Sequence, residues 1–191
     1  MAERIYVDEE RWDDGPSRAH LFRYYAARGY LEKDDVVKDV ACGCGYGSEI
    51  LSRVAREVIG MDYEPESIAH AEQAHPNHER NNVRFEIADF NEVLRLPDTT
   101  VSVSIETIEH LKDPARFAKL LKESTTRLIF LTTPIIPTKH ENPHHLHDFT
   151  PGQVEALFID DQWKPFHSYA QGAHGGSAYG GFIFYRNNGS I

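Results

Sequence analysis

Short, β-branched-rich apolar runs alternate with amphipathic stretches along this chain, and that alternation constrains the fold more than any other feature. The runs are VVKDVA (36–41), EVIGM (57–61), VRFEIA (83–88), TVSVSI (100–105), RLIFLT (127–132), WKPFHSY (163–169) and GFIFYR (181–186). Helical patterns lie between them at SEILSRVA (48–55), PESIAHAEQAH (65–75), DPARFAKLLKES (113–124) and TPGQVEALFI (150–159). Pro65 and Pro151 suit a first helical turn, where a missing N–H costs nothing, and Asp113 and Thr150 carry oxygens that can cap one. Strand, helix, strand in regular succession predicts an α/β fold: a Rossmann-like, doubly wound, mostly parallel seven-stranded sheet with helices on both faces. The last two runs lie too close for a crossover helix, so an antiparallel last strand is expected. A further helix, SRAHLFRYYAARGYL (17–31), precedes the first strand. Residues 1–35 are expected to form a helical lid segment over the carboxyl edge of the sheet, where open α/β sheets bind ligands. With 191 residues, 40% of them hydrophobic, one domain spanning 1–191 is expected.

The stretch VVKDVACGCGYGSEIL (36–51) sets Gly43, Gly45 and Gly47 at alternate positions directly after the first strand. In a doubly wound sheet this turn faces the ligand crevice, and glycines there let backbone N–H groups approach a ligand closely. Asp62 closes the next strand, about 20 residues on, where a carboxylate can accept hydrogen bonds from a ribose diol. Loop and acid together predict a nucleoside-type cofactor. The pattern D-x-A-x-G-x-G-x-G differs from the G-x-G-x-x-G that fits a pyrophosphate, which disfavours a nicotinamide dinucleotide. Cys42 and Cys44 sit between the glycines and are the chain's two cysteines, so no thiolate metal site can be completed. Cys42 reads as a small loop residue and Cys44 as a neutral occupant of a variable position.

Charge narrows the partners. The formal net charge is -10, and no Lys/Arg run could lay a positive stripe along a phosphate backbone, so nucleic acid is not the expected partner. The first residues, MAERIYVDEERWDD, lack the apolar core of a signal peptide, and no stretch is long and apolar enough to cross a bilayer. A cytoplasmic protein with no membrane partner is expected, and a small-molecule acceptor is the expected substrate.

In these residues the chain resembles the class I S-adenosylmethionine-dependent methyltransferases. AHLFRYYAA, DVACGCGYGS, VIGMDYEPESIAHA, VRFEIADF, IETIEHLKDP, FLTTP and NPHHLHDFT occur in the order of that family. The resemblance implies S-adenosyl-L-methionine as cofactor. It implies that Asp39 closes the first strand and that Ala41, Gly43 and Gly45 form the turn around the methionine moiety, Ala41 standing where the family more usually has glycine. By the same resemblance Asp62 would hold the ribose hydroxyls with Tyr63 beside the adenine. Asp89 would accept from the adenine amino group, and Phe90 would donate its backbone N–H to the ring. Glu106 would meet the amino-acid end of the cofactor, and Arg23 would pair with its carboxylate through the guanidinium fork. Two departures stand out. KESTTR (122–127) replaces a Lys-Pro-Gly-Gly turn, and Thr100 and Val101 replace a Phe-Asp pair.

Methyl transfer from a sulfonium needs alignment and desolvation first, and a general base only where the acceptor must lose a proton, as a hydroxyl does. Of eleven histidines, four cluster where the acceptor is expected: His110 in ETIEHL and His144, His145 and His147 in NPHHLHDFT. His110 and His145 are the candidate catalytic residues, and the acceptor cavity is expected between them and GAHGGSAYGG (172–181). An O-methyl acceptor on a sugar or other small polar molecule is the implied reading. E-x-x-E-H, formed by Glu106, Glu109 and His110, resembles with His145 the magnesium site of small-RNA terminal 2′-O-methyltransferases, which leaves open a metal-assisted reaction on a diol, catechol or RNA 2′-hydroxyl. No metal is assigned. A non-catalytic binder of S-adenosylmethionine or S-adenosylhomocysteine is the alternative from another class; the clustered histidines weigh against it.

Overall fold

The computed structural model describes residues 15–74, 82–172 and 178–187. Residues 1–14 of the expected lid, His75 at the end of a helical pattern and most of GAHGGSAYGG therefore lie outside the described residues. All seven expected strands form: β1 (Val36–Val40), β2 (Glu57–Asp62), β3 (Val83–Ile87), β4 (Thr99–Ile105), β5 (Thr125–Pro134), β6 (Trp163–Gly172) and β7 (Ala178–Arg186). They make one sheet in the order β3-β2-β1-β4-β5-β7-β6. Neighbours from β3 through β5 are parallel, and β7 runs antiparallel to both β5 and β6. The short β6–β7 connection thus has the sense expected of it.

Among the described residues five helices accompany the sheet: α1 (Gly15–Arg28), α2 (Tyr46–Ser52), α3 (Pro65–Ala74), α4 (Pro114–Glu123) and α5 (Pro151–Phe158). The expected caps are in place. The Asp113 carboxylate accepts the Arg116 N–H at 2.9 Å, and Thr150 and Gln153 close a reciprocal capping box at the start of α5. A single 3₁₀ turn, Ile108–His110, follows β4 and was not foreseen.

β5 explains why two layers of helix are needed, since its middle residues Leu128, Ile129, Phe130 and Leu131 are apolar in succession. Leu128 and Phe130 join Val101, Val103, Leu21 and Tyr24 in the core under α1 and α2. Ile129 and Leu131 join Phe117, Leu121 and Phe158 in the core under α4 and α5. A strand apolar on both faces is stable only when both are covered. None of the described helices is long and apolar enough to cross a membrane.

The two departures from the family pattern are accommodated at the amino-terminal edge of the sheet. In KESTTR, Ser124 Oγ and Thr125 Oγ1 donate to the Leu120 and Leu121 carbonyls, each at 2.6 Å, so hydroxyls close the end of α4 where a glycine turn is usual. Thr100 Oγ1 donates to Asp35 at 2.7 Å, and Arg127 pairs with the same carboxylate. Lys38 is wholly buried on β1, and its ammonium donates to the Pro97 carbonyl (3.1 Å), Thr99 Oγ1 (2.8 Å) and the Ser124 carbonyl (2.6 Å). One side chain thereby joins the β4 entry to the α4–β5 turn.

Burial lowers the Lys38 pKa from 10.5 to about 7, against the opposing pull of Asp98. A depressed folded-state value means that this contribution to stability is present above pH 10.5 and is lost as pH falls through 7. Thermal melts should therefore show a Lys38-dependent rise in stability from about pH 7 upward, and Lys38→Met should flatten it. An unchanged pH profile in the variant would contradict the buried, reluctant ammonium.

Candidate active site

The carboxyl ends of β1, β2 and β4 open onto a cavity of about 410 Å³, a size suited to a small molecule. Its floor is the turn after β1. Ala41 (φ 61°), Gly43 (φ 55°) and Gly45 (φ 85°) are left-handed there. Glu106 (φ 51°), just after β4, is with Ala41 the other non-glycine in this region among the described residues. Both line the cavity, so the left-handed strain of about 1–3 kcal/mol per residue is concentrated at the site. The alanine at 41 thus keeps the backbone conformation that a glycine would adopt more cheaply.

Hydrogen bonds fix this turn. Cys42 N–H donates to the Met61 carbonyl at 2.9 Å, Gly45 N–H to the Cys42 carbonyl at 3.1 Å, and Gly43 N–H to Asp62 Oδ2 at 2.9 Å. Asp62 Oδ1 accepts the Glu64 N–H at 3.0 Å, so both carboxylate oxygens are oriented by backbone while the residue lines the cavity. Tyr63, half exposed, Asp89 and Phe90 line the same side, with Asp89 Oδ1 accepting from Asn91 N–H at 2.9 Å. Cys42 and Cys44 also line the cavity and are both buried, so Cys44 is a packed residue and not a free surface position. Burial pushes the Cys42 thiol well above its usual range, which leaves it protonated and inert.

Asp39 and Gly45 stand behind the turn. Asp39 is wholly buried and accepts from Ser48 Oγ (2.7 Å) and Tyr24 Oη (3.2 Å). Burial raises its pKa to about 7, with the two hydroxyls pulling it back and Asp62 pushing it up. A Cβ at Gly45 would lie 2.7 Å from Ala71 Cβ and 2.8 Å from the Phe85 ring, so this glycine exists for packing against α3 and β3. A Cβ at Gly43 would meet nothing within 4 Å; it would point into open cavity.

α1 packs across one face of the sheet, and its His20 and Arg23 reach Glu106 at the carboxyl end of β4. The Arg23 guanidinium is buried, forms an ion pair with Glu106 Oε1, donates from Nε to Gln171 Oε1 at 2.9 Å, and stacks 3.8 Å from the Tyr179 ring centroid. Arg23 is therefore held beneath the rim, while Glu106 lines the cavity itself.

The histidines separate by position. His110 and His144 line the cavity. His110 Nδ1 lies 3.1 Å from the His144 carbonyl, and a carbonyl only accepts, so Nδ1 is the donor of this pair. His145 is buried edge-on behind His110, with ring centroids 4.7 Å apart. Its Nδ1 pairs with Thr138 Oγ1 (2.6 Å) and its Nε2 with the Asn142 amide nitrogen (2.9 Å). His147 bonds the Leu111 carbonyl at 2.9 Å. Glu109 is buried and accepts from Thr133 Oγ1 at 3.1 Å. Sequence reasoning passed over His20 and Tyr46, which also line the cavity. The signal was present for His20, since His20, Arg23 and Tyr24 share a helix face at i, i+3 and i+4.

A parallel sheet reversed at β7, with its cavity over β1, β2 and β4, defines a class I S-adenosylmethionine-dependent methyltransferase domain, whose cofactor is S-adenosyl-L-methionine. The chain belongs to the methyltransferase domain family Methyltransf_31, which matches residues 31–171. It is 34% identical over 137 residues to a Mycobacterium tuberculosis (strain ATCC 25618 / H37Rv) protein named "Probable S-adenosylmethionine-dependent methyltransferase Rv3030". That match covers 65% of this chain and 47% of the relative, so the chain spans about half the length of the curated relative. The fold is shared with N-methyltransferase NodS from Bradyrhizobium japonicum WM9 (TM-score 0.75, 13% identity, 92% of this chain and 99% of that one). It is shared equally with magnesium protoporphyrin IX methyltransferase (ChlM) from Synechocystis PCC 6803, solved with bound SAM (TM-score 0.74, 13% identity, 96% and 87%).

The two loop glycines should respond differently to the same substitution. Gly43→Leu should fold, losing about 1–2 kcal/mol to left-handed strain, and should lose S-adenosylhomocysteine binding because the side chain fills the cavity. Gly45→Leu should fail at folding itself, through its clash with Ala71 and Phe85. Circular dichroism melts paired with calorimetric titration separate the two outcomes.

Proposed function

We propose that the protein transfers a methyl group from S-adenosyl-L-methionine to an oxygen of a small polar acceptor, with His110 as general base. The observation that carries this reading is the orientation of His110. Its Nδ1 lies 3.1 Å from the His144 carbonyl and its ring lines the cavity, where an imidazole is the side chain suited to taking a proton near neutral pH. Such a group is needed for a hydroxyl acceptor and superfluous in a pure binder.

The residues fit the cofactor. The open space at Gly43 leaves room for a ligand against the turn, and Asp62, oriented by two backbone N–H groups, lines the cavity with a carboxylate suited to a ribose diol. Asp89 and the Phe90 backbone would meet the adenine, with Tyr63 beside the ring. Glu106 would receive the ammonium of the amino-acid end, with Arg23 behind it holding the Glu106 carboxylate. When bound, the cofactor supplies a methyl group already activated by the sulfonium. The chain's own share is to hold the acceptor hydroxyl next to His110, exclude water, and take its proton on Nε2.

A metal-assisted reading has one observation in its favour: Glu109, His110 and His145 each offer a donor atom, all within 4.8 Å of one another. Glu106, by contrast, turns to Arg23, and both His145 nitrogens already have partners. The base reading therefore stands first.

Calorimetry with S-adenosylmethionine and NAD should give binding for the first and none for the second; preferential NAD binding would sink the assignment. With an acceptor found by screening polyols, sugars and catechols for S-adenosylhomocysteine release, His110→Ala should lower kcat by about 100-fold or more and leave cofactor affinity unchanged. Turnover that EDTA abolishes and Mg²⁺ or Mn²⁺ restores, together with metal binding lost in His145→Ala, would replace the base reading by the metal one.

A further inference from the structure

Glu106 is gripped from one side. Arg23 pairs with Oε1, His20 Nε2 lies 3.5 Å from that same oxygen, and Oε1 is buried. The side chain nevertheless keeps 19% of its surface exposed and lines the cavity. The open part of the carboxylate is therefore Oε2.

The tautomer of His20 follows from its neighbours. Its Nδ1 contacts the Tyr46 hydroxyl, and its Nε2 faces a carboxylate. A lone pair aimed at Glu106 would be repelled, so the proton belongs on Nε2, and Nδ1 accepts from the Tyr46 hydroxyl. Desolvation and the nearby Arg23 lower the His20 pKa to about 3, so the ring stays neutral and keeps one donor and one acceptor at working pH. Burial raises the Tyr46 phenol in turn, which keeps it a donor. Ring contacts of 5.6 to 5.8 Å among His20, Tyr24 and Tyr46 lock the chain of bonds laterally.

We propose that His20 and Tyr46 are positioning residues for the amino-acid end of the cofactor: Tyr46 orients His20, His20 and Arg23 fix Glu106 Oε1, and Oε2 is thereby aimed at the cofactor's ammonium. The inference rests on the reading of the cavity as the S-adenosylmethionine site. Glu106 is a charged group with a left-handed backbone, and without this bracing its carboxylate would sample several rotamers. His20 Nε2 at 3.5 Å is a close polar contact on this buried oxygen, so its loss should be felt in affinity through the freedom it gives the carboxylate.

Two probes isolate the effect: S-adenosylhomocysteine, which carries the amino-acid end, and 5′-methylthioadenosine, which lacks it. In the full chain, His20→Ala should weaken S-adenosylhomocysteine binding by about 10-fold or more and Tyr46→Phe by about 3-fold to 10-fold. Neither should change the Kd for 5′-methylthioadenosine by more than about 2-fold, and His20→Gln, whose amide N–H can reach Glu106, should recover much of the loss. Equal weakening of both probes would mean that the two residues merely support the loop, and no weakening of either would remove their role; both results overturn the proposal. Wild-type protein that binds neither probe, or both equally well, would instead refute the underlying assignment of the cavity.

Discussion

A carboxylate cut off from water sits at the end of β1, and the geometry of the site depends on it. Asp39 accepts one hydroxyl from α1, through Tyr24, and one from α2, through Ser48. Leaving such a group unpaired in the interior costs several kcal/mol, so the two helices and the strand end are held together where the 41–45 turn begins. Tyr24 shares its helix face with His20 and Arg23. The bond that secures α1 to the sheet therefore also carries those two residues to Glu106. Loop, helix and rim are one mechanical unit.

That unit stores strain where a ligand is to be bound. Ala41 and Glu106 are both left-handed without being glycine, and they flank the cavity from β1 and β4. Each is held by what surrounds it: Ala41 by the neighbouring bond from Cys42 N–H to Met61 on β2, Glu106 by its own N–H bond to Thr132 on β5 at 3.0 Å and by Arg23 of α1. Parallel pairing of β1, β2 and β4 sets these anchor points at one edge, so the strain costs stability locally while the two apolar layers supply it globally.

Periodicity was sufficient for the sheet, because each strand and helix announces itself within a few residues and the short β6–β7 link leaves one sense of pairing. It could not say which side of a turn a residue faces. Gly43 and Gly45 look alike in D-x-A-x-G-x-G, yet one opens to the cavity and the other is pressed against Ala71 and Phe85, residues far off in sequence. Asp39 and Asp62 likewise both end strands, but one is buried behind the turn and the other faces the ligand side. The NPHHLHDFT cluster suggested several reactive imidazoles. Its backbone hangs on the 3₁₀ turn, with Leu146 and His147 N–H groups donating to the Glu109 carbonyl at 2.8 and 3.2 Å, and this fold-back buries His145 while leaving His144 at the rim.

Three histidines within one site illustrate how environment divides labour among identical side chains. His20 lies, largely buried, between a phenol and a carboxylate, so it is fixed as a neutral relay. His145 has a hydroxyl on one nitrogen and an amide on the other, which makes it a brace for the ring in front of it. His110 has its Nδ1 engaged by a backbone carbonyl and its ring at the cavity wall. A backbone carbonyl cannot donate, whereas a hydroxyl or amide side chain can rotate to suit either tautomer. The donor role of His110 Nδ1 is consequently set by the main chain, and the main chain there is held by the Leu146 and His147 bonds to the Glu109 carbonyl. If His110 is the base proposed above, proton acceptance at the cavity depends on how 138–148 folds back onto the 3₁₀ turn, and altering that loop would change the chemistry without touching the imidazole.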